Sequence, residues 1–248
     1  GARVGFDYAR ERRLRAQISN AFARYVAPAL VEELMKDPKA LQLGGERREI
    51  TVLFCDVRGF TGLSERLKDD PIKLMAIINR LLDALSAEVL ATRGTIDKYM
   101  GDCVMAFWNA PVPVMDHPHA AIATALRMGE TVARLNMQLA AEDPTHVPLA
   151  VGVGVSTGVC VVGNIGSRWR YDYSVLGDTV NLASRLEGLT KEFDVGVIIG
   201  PETAHRVSDR YDVQKLAHIA VRGRSEKLPV FAVSEMRETP AKRLEQTT

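Results

Sequence analysis

The sequence predicts an α/β fold, a mixed sheet covered by packed helices, and three observations carry that expectation. The first is order: stretches of strand character and stretches of helical periodicity follow one another as strand, helix, hairpin, helix, strand. The second is Ile50 to Cys55 (ITVLFC), an almost wholly apolar run rich in β-formers, as expected of a central strand covered on both faces. The third is size, since 248 residues at 46% hydrophobic content can bury one substantial core and still carry an appendage.

Taken in order, the chain opens on a basic stretch. Residues 1–24 hold Arg3, Arg10, Arg12, Arg13, Arg15 and Arg24 against Asp7 and Glu11, a local charge of +4, so the rest sums to −3 within the overall +1. Leu14, Ile18, Phe22, Tyr25 and Val26 recur at helical spacing until Pro28 and Pro38 interrupt the pattern. Residues 1–45 are therefore expected to form a helical lead-in, and a first residue that is Gly rather than Met favours a piece of a longer protein. The globular body is expected over 46–238, with a tail at 239–248.

Within that body the strand at Ile50–Cys55 ends on Asp56, and a glycine-containing turn (Val57-Arg58-Gly59-Phe60-Thr61-Gly62) enters a short helix. Pro71 to Arg93 carries Leu74, Met75, Ile78, Leu81, Leu82, Leu85 and Val89 as one helical stripe, and Gly94 closes it. Thr95–Tyr99 and Cys103–Trp108 read as a hairpin with Met100-Gly101-Asp102 at its tip. A second long helix follows at about Pro118–Ala141, then a β-rich run, Leu149–Val162, with glycines at 152, 154 and 158. Gly177-Asp178 opens a further helix through Phe193, with Asp178 expected as its N-cap. Val195–Ile199 is a strand, Pro201–Val207 a short helix, and Tyr211–Leu216 and Val230–Val233 are the last strands; there is no internal repeat.

Composition excludes several functions. A near-neutral chain does not suit a nucleic-acid polymer as partner. Cys55, Cys103 and Cys160 form no CxxC pair, so neither a disulfide framework nor a zinc site is expected, and His117-Pro-His119 lacks the further ligands zinc needs. No window reaches about 18 consecutive apolar residues. With no secretory signal and no disulfide pattern, a cytoplasmic domain is expected, whether or not the parent protein is anchored in a membrane.

Some residues sit where chemistry is done. Asp56 ends a strand and Asp102 occupies a hairpin tip, so neighbouring strands would bring two carboxylates together at a sheet rim. Two such acids repel unless a cation lies between them, and hard oxygen ligands with open water positions suit Mg²⁺ bridging phosphates. Spacing alone leaves open that Asp56 caps a turn and Asp102 merely suits one. Asn181 and Arg185 lie four apart on one helix face near its start, an amide donor beside a guanidinium fork, which suits an oxygen-rich group gaining charge. Lys98 precedes the acidic tip.

Three stretches together resemble the signatures of the class III adenylyl/guanylyl cyclase catalytic domain: Phe54-Cys55-Asp56-Val57-Arg58-Gly59-Phe60-Thr61, Asp97-Lys98-Tyr99-Met100-Gly101-Asp102, and Tyr173 through Arg185 (YSVLGDTVNLASR). The likeness covers about residues 46–235, and Phe22–Gly45 resembles the lead-in of bacterial members, where a regulatory domain stands upstream. The resemblance implies a ferredoxin-like βαββαβ core with a mixed, mostly antiparallel sheet and packed helices, extended by further C-terminal strands. It implies that Asp56, Asp102 and the carbonyl of Val57 bind two Mg²⁺ ions, with Mn²⁺ as a substitute. It implies that Gly59 and Phe60 give backbone donors to the phosphates, that Asn181 orients the ribose, and that Arg185 stabilises charge on the α-phosphate. Lys98 and Ser174 fall at the purine-reading positions, where lysine can donate to adenine N1 and serine can accept from the N6 amine. Arg224 stands at the place of the basic residue that clamps the terminal phosphates, with Arg222 two residues away. The implied activity is conversion of ATP to 3′,5′-cyclic AMP and pyrophosphate at sites shared across a head-to-tail homodimer, since one chain holds both residue sets. The alternatives are a guanylate or low-selectivity cyclase, and a non-catalytic nucleotide-sensing dimerisation module.

Overall fold

A computed structural model describes residues 44–167, 169–220 and 227–236. The expected lead-in, apart from Gly44 and Gly45, and the expected tail lie outside the described residues, as do Arg222 and Arg224.

The first strand, β1 (Gly44–Arg58), starts six residues before its apolar run and continues three past it. The extension arises because β1 pairs antiparallel with β4 (Ala150–Ser167) along its whole length, from Gly44 opposite Asn164 to Arg58 opposite Ala150. Its other edge takes β3 (Cys103–Trp108), with Thr51 opposite Trp108 and Cys55 opposite Val104. Beyond β3 lies β2 (Thr95–Met100), joined to it by a tight turn at Gly101 and Asp102, where Gly101 adopts the positive φ of 67° that glycine tolerates best. The order β2-β3-β1-β4, antiparallel throughout, is the predicted βαββαβ core. From β4 the sheet continues through β6 (Val197–Ile199), β8 (Leu228–Met236) and β7 (Tyr211–Ile219), and β4–β6 is a parallel pair.

One strand escaped the sequence reading. β5 (Arg170–Leu176) folds back on the distal half of β4, pairing Val161 with Leu176 and Ser167 with Arg170. Its residues, RYDYSVL, mix charge and aromatics without clean alternation, so nothing in their pattern marked them as a strand.

Helices cover both faces. On one side α2 (Pro71–Ala91) and α3 (His117–Glu142) place Leu81, Leu85, Val89, Ile122, Ala125 and Met128 against Leu53, Cys55 and Val57 of β1 and Val104, Ala106 and Trp108 of β3. The start of α2 is fixed by the Asp70 carboxylate, which accepts from the Lys73 amide at 3.0 Å, with Pro71 at the first helical position. On the other side α4 (Asp178–Glu192) lies over Ile50, Val52 and Phe54, with Ala183 in that cluster. The alternation of these β1 side chains between faces is the two-residue period of a strand covered twice. Two short helices, α1 (Phe60–Arg66) and α5 (Pro201–Val207), complete the layers.

The glycines of β4 set how closely α4 approaches. A Cβ at Gly154 would lie 2.2 Å from the Glu187 amide nitrogen and 2.3 Å from the Ala183 carbonyl oxygen, and one at Gly152 would collide with the Thr190 hydroxyl. The N-cap of α4 is Gly177, not Asp178. Asp178 is instead the first helical residue, where its carboxylate favours the positive end of the helix dipole without a side-chain cap bond. The strand expected from Val195 begins only at Val197, because the Val195 amide is spent on the Thr190 carbonyl at the end of α4. Among the described residues no helix is long and apolar enough to cross a membrane.

Candidate active site

The register of the core gathers the predicted residues into three groups. The first stands at the end of β1. Because Cys55 faces Val104, Asp56 reaches the level at which β3 begins, beside the turn that carries Asp102. Burial raises the carboxyl pKa of both, and the Asp56 charge raises that of Asp102 further, as two acids brought together should. Val57 is buried and Gly59 is exposed with φ of 81°, a left-handed residue that turns the chain out of β1 into α1, where Phe60 is the first helical residue.

A third carboxylate belongs to this group and was missed. Glu187 lies on the sheet-facing side of α4, and its pKa is pushed up to about 7 by burial first, then by the Asp56 charge, with Arg58 opposing and Asp102 adding. The Cys103 thiol, in the same field, is pushed up to about 12, mainly by burial and then by Asp56. The only signal in the sequence was that Glu187 interrupts an otherwise apolar helix face, between Leu186 and Leu189.

Arg58 ties this corner to the helix. Its Nη2 donates to the Thr190 carbonyl at 2.8 Å and to that of Val195, so β1 caps the C-terminal end of α4.

The second group forms around Asp97 on β2, whose side chain is 0% exposed. The Ser174 hydroxyl on β5 donates to Asp97 Oδ2 at 2.6 Å, and Lys98 Nζ lies 3.2 Å from Oδ1. Oδ1 has no aligned hydrogen bond beyond that ion pair among the described residues. Burial raises the Asp97 pKa, and Ser174 and Lys98 pull it back. Lys98 and Ser174, 76 residues apart in sequence, are thus brought to one spot by a residue the sequence reading left without a role.

The third group is the outer face of α4, where Asn181 and Arg185 are both exposed one turn apart. Neither is engaged by a side chain among the described residues. No hydrogen bond or ion pair among these residues joins one group to another. His117 and His119 have structural partners: Nδ1 of His117 meets the Thr51 hydroxyl at 2.7 Å, and His119 sits between Asp116 and Asp209.

The donors at Asp56 and Asp102 fit a hard divalent cation. Both are partly buried carboxylates: burial raises the pKa of each, and the Asp56 charge raises that of Asp102 further, a repulsion that a cation relieves. Among the described residues no set of three or more acidic, His or Cys groups is arranged to enclose an ion. A cation here would complete its shell with water and ligand oxygens, which is the habit of Mg²⁺.

Residues 45–235 match the family described as "Adenylate and Guanylate cyclase catalytic domain". Adenylate cyclase 1 of Rhizobium meliloti is 34% identical over 216 residues, which is 86% of this chain and 31% of that protein. An adenylate cyclase of Anabaena cylindrica is 29% identical over 222 residues, 87% of this chain and 41% of that one. The chain thus spans well under half the length of these relatives. Among solved structures, the adenylyl cyclase CyaB from P. aeruginosa superposes with a TM-score of 0.71 at 35% identity, covering 79% of this chain and 98% of that one. The guanylyl cyclase Cya2 gives 0.70 at 32% identity, covering 81% and 98%.

Proposed function

Because the chain belongs to the adenylate and guanylate cyclase catalytic domain family, we propose that it converts ATP to 3′,5′-cyclic AMP and pyrophosphate at sites completed by a second copy of itself. The observation that carries the choice of adenine is the pairing of Lys98 with Ser174 at Asp97. An ammonium donates to the unprotonated N1 of adenine, and a hydroxyl whose proton is already committed can accept from the N6 amine.

In this reading Asp56 and Asp102, with the Val57 carbonyl, hold two Mg²⁺ ions, for which Mn²⁺ can substitute. Bound there, the ions lower the pKa of the ribose 3′-hydroxyl and neutralise charge on the triphosphate. The chain's own residues do the rest. Backbone amides of Gly59 and Phe60, where β1 turns into α1, receive phosphate oxygens. Asn181 orients the ribose so that its 3′-oxygen faces the α-phosphorus in line with the departing pyrophosphate. Arg185 supplies its guanidinium to the α-phosphate oxygens as charge grows there. Arg224, outside the described residues, is assigned to the terminal phosphates.

Two features support a second copy. Asn181 and Arg185 face outward from α4, while Asp56 and Asp102 lie where α4 meets the sheet, so one chain presents the two sets in different directions. The β4–β5 hairpin also exposes Val159, Val161, Trp169, Tyr171 and Leu176, an apolar surface fit for burial against another protomer. A regulatory domain upstream, in a protein whose catalytic part is cytoplasmic, completes the proposal.

The test is a product assay with ATP and GTP, each with Mg²⁺ and Mn²⁺, across a range of protein concentrations. Cyclic AMP as the main product, with specific activity rising with concentration, is expected. A preference for GTP would reverse the base assignment, and nucleotide binding without cyclic product under Mn²⁺ would make the chain a sensing module.

A further inference from the structure

Lys98 and Ser174 can read a purine only if something fixes which of them donates and which accepts. A lysine ammonium has donors alone, but a serine hydroxyl can do either, and a free one would serve an amino group and a carbonyl equally well. Asp97 removes that freedom. Its side chain is wholly enclosed, its Oδ2 takes the Ser174 proton at 2.6 Å, its Oδ1 lies 3.2 Å from the Lys98 ammonium, and the Val175 backbone amide also favours its charge. Turning the Ser174 proton toward a ligand would take from a buried carboxylate its short 2.6 Å hydrogen bond, which is costly away from water.

We propose that Asp97 is a positioning residue that sets base specificity: by holding the Ser174 proton it leaves that oxygen lone pairs only, so the site takes an amino group at purine position 6 and refuses a carbonyl. The inference rests on the reading of this corner as the purine-binding part of a nucleotide cyclase. Specificity then resides in a residue that need not touch the base. Asp97 also fixes Lys98, because Oδ1 would lose its one cationic partner if the ammonium swung away. The two contacts to the base are thereby held from a single buried point, which lies on β2 and reaches across to β5.

The experiment compares kcat/KM for ATP, GTP and purine riboside triphosphate, which keeps the N1 acceptor but has no group at position 6. It is run on the wild-type chain and on the Asp97→Asn, Ser174→Ala and doubly substituted chains. The wild type should prefer ATP to both other nucleotides. In Asp97→Asn the new amide can donate to Ser174 and free its proton, so the ATP:GTP ratio should fall about tenfold or more, through a gain with GTP as well as a loss with ATP. A purely structural role would lower both substrates together and leave the ratio standing. In the Ser174→Ala background the Asp97 substitution should no longer move the ratio. An unchanged ratio in Asp97→Asn overturns the proposal, as does a wild type that uses the riboside as well as ATP, a comparison that needs no variant to fold. A wild type that prefers GTP instead overturns the adenylate reading itself.

Discussion

At Glu187 a carboxyl group on the inner face of α4 lies in the field of Asp56 and Asp102, and its pKa of about 7 makes a measurable claim. The folded value stands above the ordinary glutamate value of about 4.3. Ionising Glu187 therefore costs the folded state, with no cost below about pH 4.3 and the full cost above about pH 7. After discounting for partial exposure this is about 1–2 kcal/mol. Without divalent ions, Glu187→Gln should melt higher than the wild type at pH 8, and the gap should close toward pH 4.5. A gap that is constant with pH would show that the charge is not the cause. At Arg185 the expectation concerns rate: Arg185→Ala should fold normally, since the residue is exposed, and lose about 10²–10³-fold in turnover. The positions of Asp56, Asp102, Asn181 and Arg185 at a strand end, a hairpin tip and a helix start were legible in the sequence, while the roles proposed for them come from the family resemblance. Glu187 and Asp97 were not legible, because what the fold brings to them comes from far along the chain: Asp56 stands 131 positions before Glu187, and Ser174 stands 77 after Asp97.

The joint between β1, β4 and α4 is where individual elements become a site. Gly152 and Gly154 let the helix backbone rest on the strand, and Arg58 holds the far end of the helix by two carbonyls. Gly154→Ala must push α4 off the sheet, because the obstacles are backbone atoms rather than side-chain tips. Overpacking of this kind should cost about 1–3 kcal/mol, read by denaturant midpoint at unchanged slope. Arg58→Ala should cost about 1–3 kcal/mol by taking the guanidinium from the Val195 carbonyl and leaving the Thr190 carbonyl with the Val195 amide alone, and should speed amide exchange over residues 190–196. The long, periodic elements were readable: α2, α3 and the β2–β3 hairpin lie within a few residues of their predicted bounds. Those defined by pairing rather than pattern were not. The outer half of β1 and all of β5 are strands because β4 is long enough to pair with both.

Across the whole molecule, the neutral charge conceals a division of labour, with acids gathered where β1 meets the hairpin tip and Arg185 displayed on the opposite helix surface. If each site draws its acids from one protomer and its Arg185 from the other, two dead chains can make a live one. Mixing inactive Asp56→Ala and Arg185→Ala chains should restore activity at one of the two sites of a mixed dimer, about a quarter of the wild-type value at equal amounts if exchange is random. No recovery at any ratio would exclude shared sites.

The pairing of β1 with β4 also bears on how the chain is made. β1 is complete at residue 58, yet the strand that covers one whole edge of it ends at residue 167, and its other partner, β3, meets only residues 51–55. At about 5–20 residues per second of synthesis, the apolar run of β1 waits some 5–20 s with its backbone unpaired along one side. Ile50 to Cys55 is then open to capture by a neighbouring nascent chain during that interval. Slower growth at lower temperature, or a chaperone that shields it, should therefore raise soluble yield without any change in the folded protein.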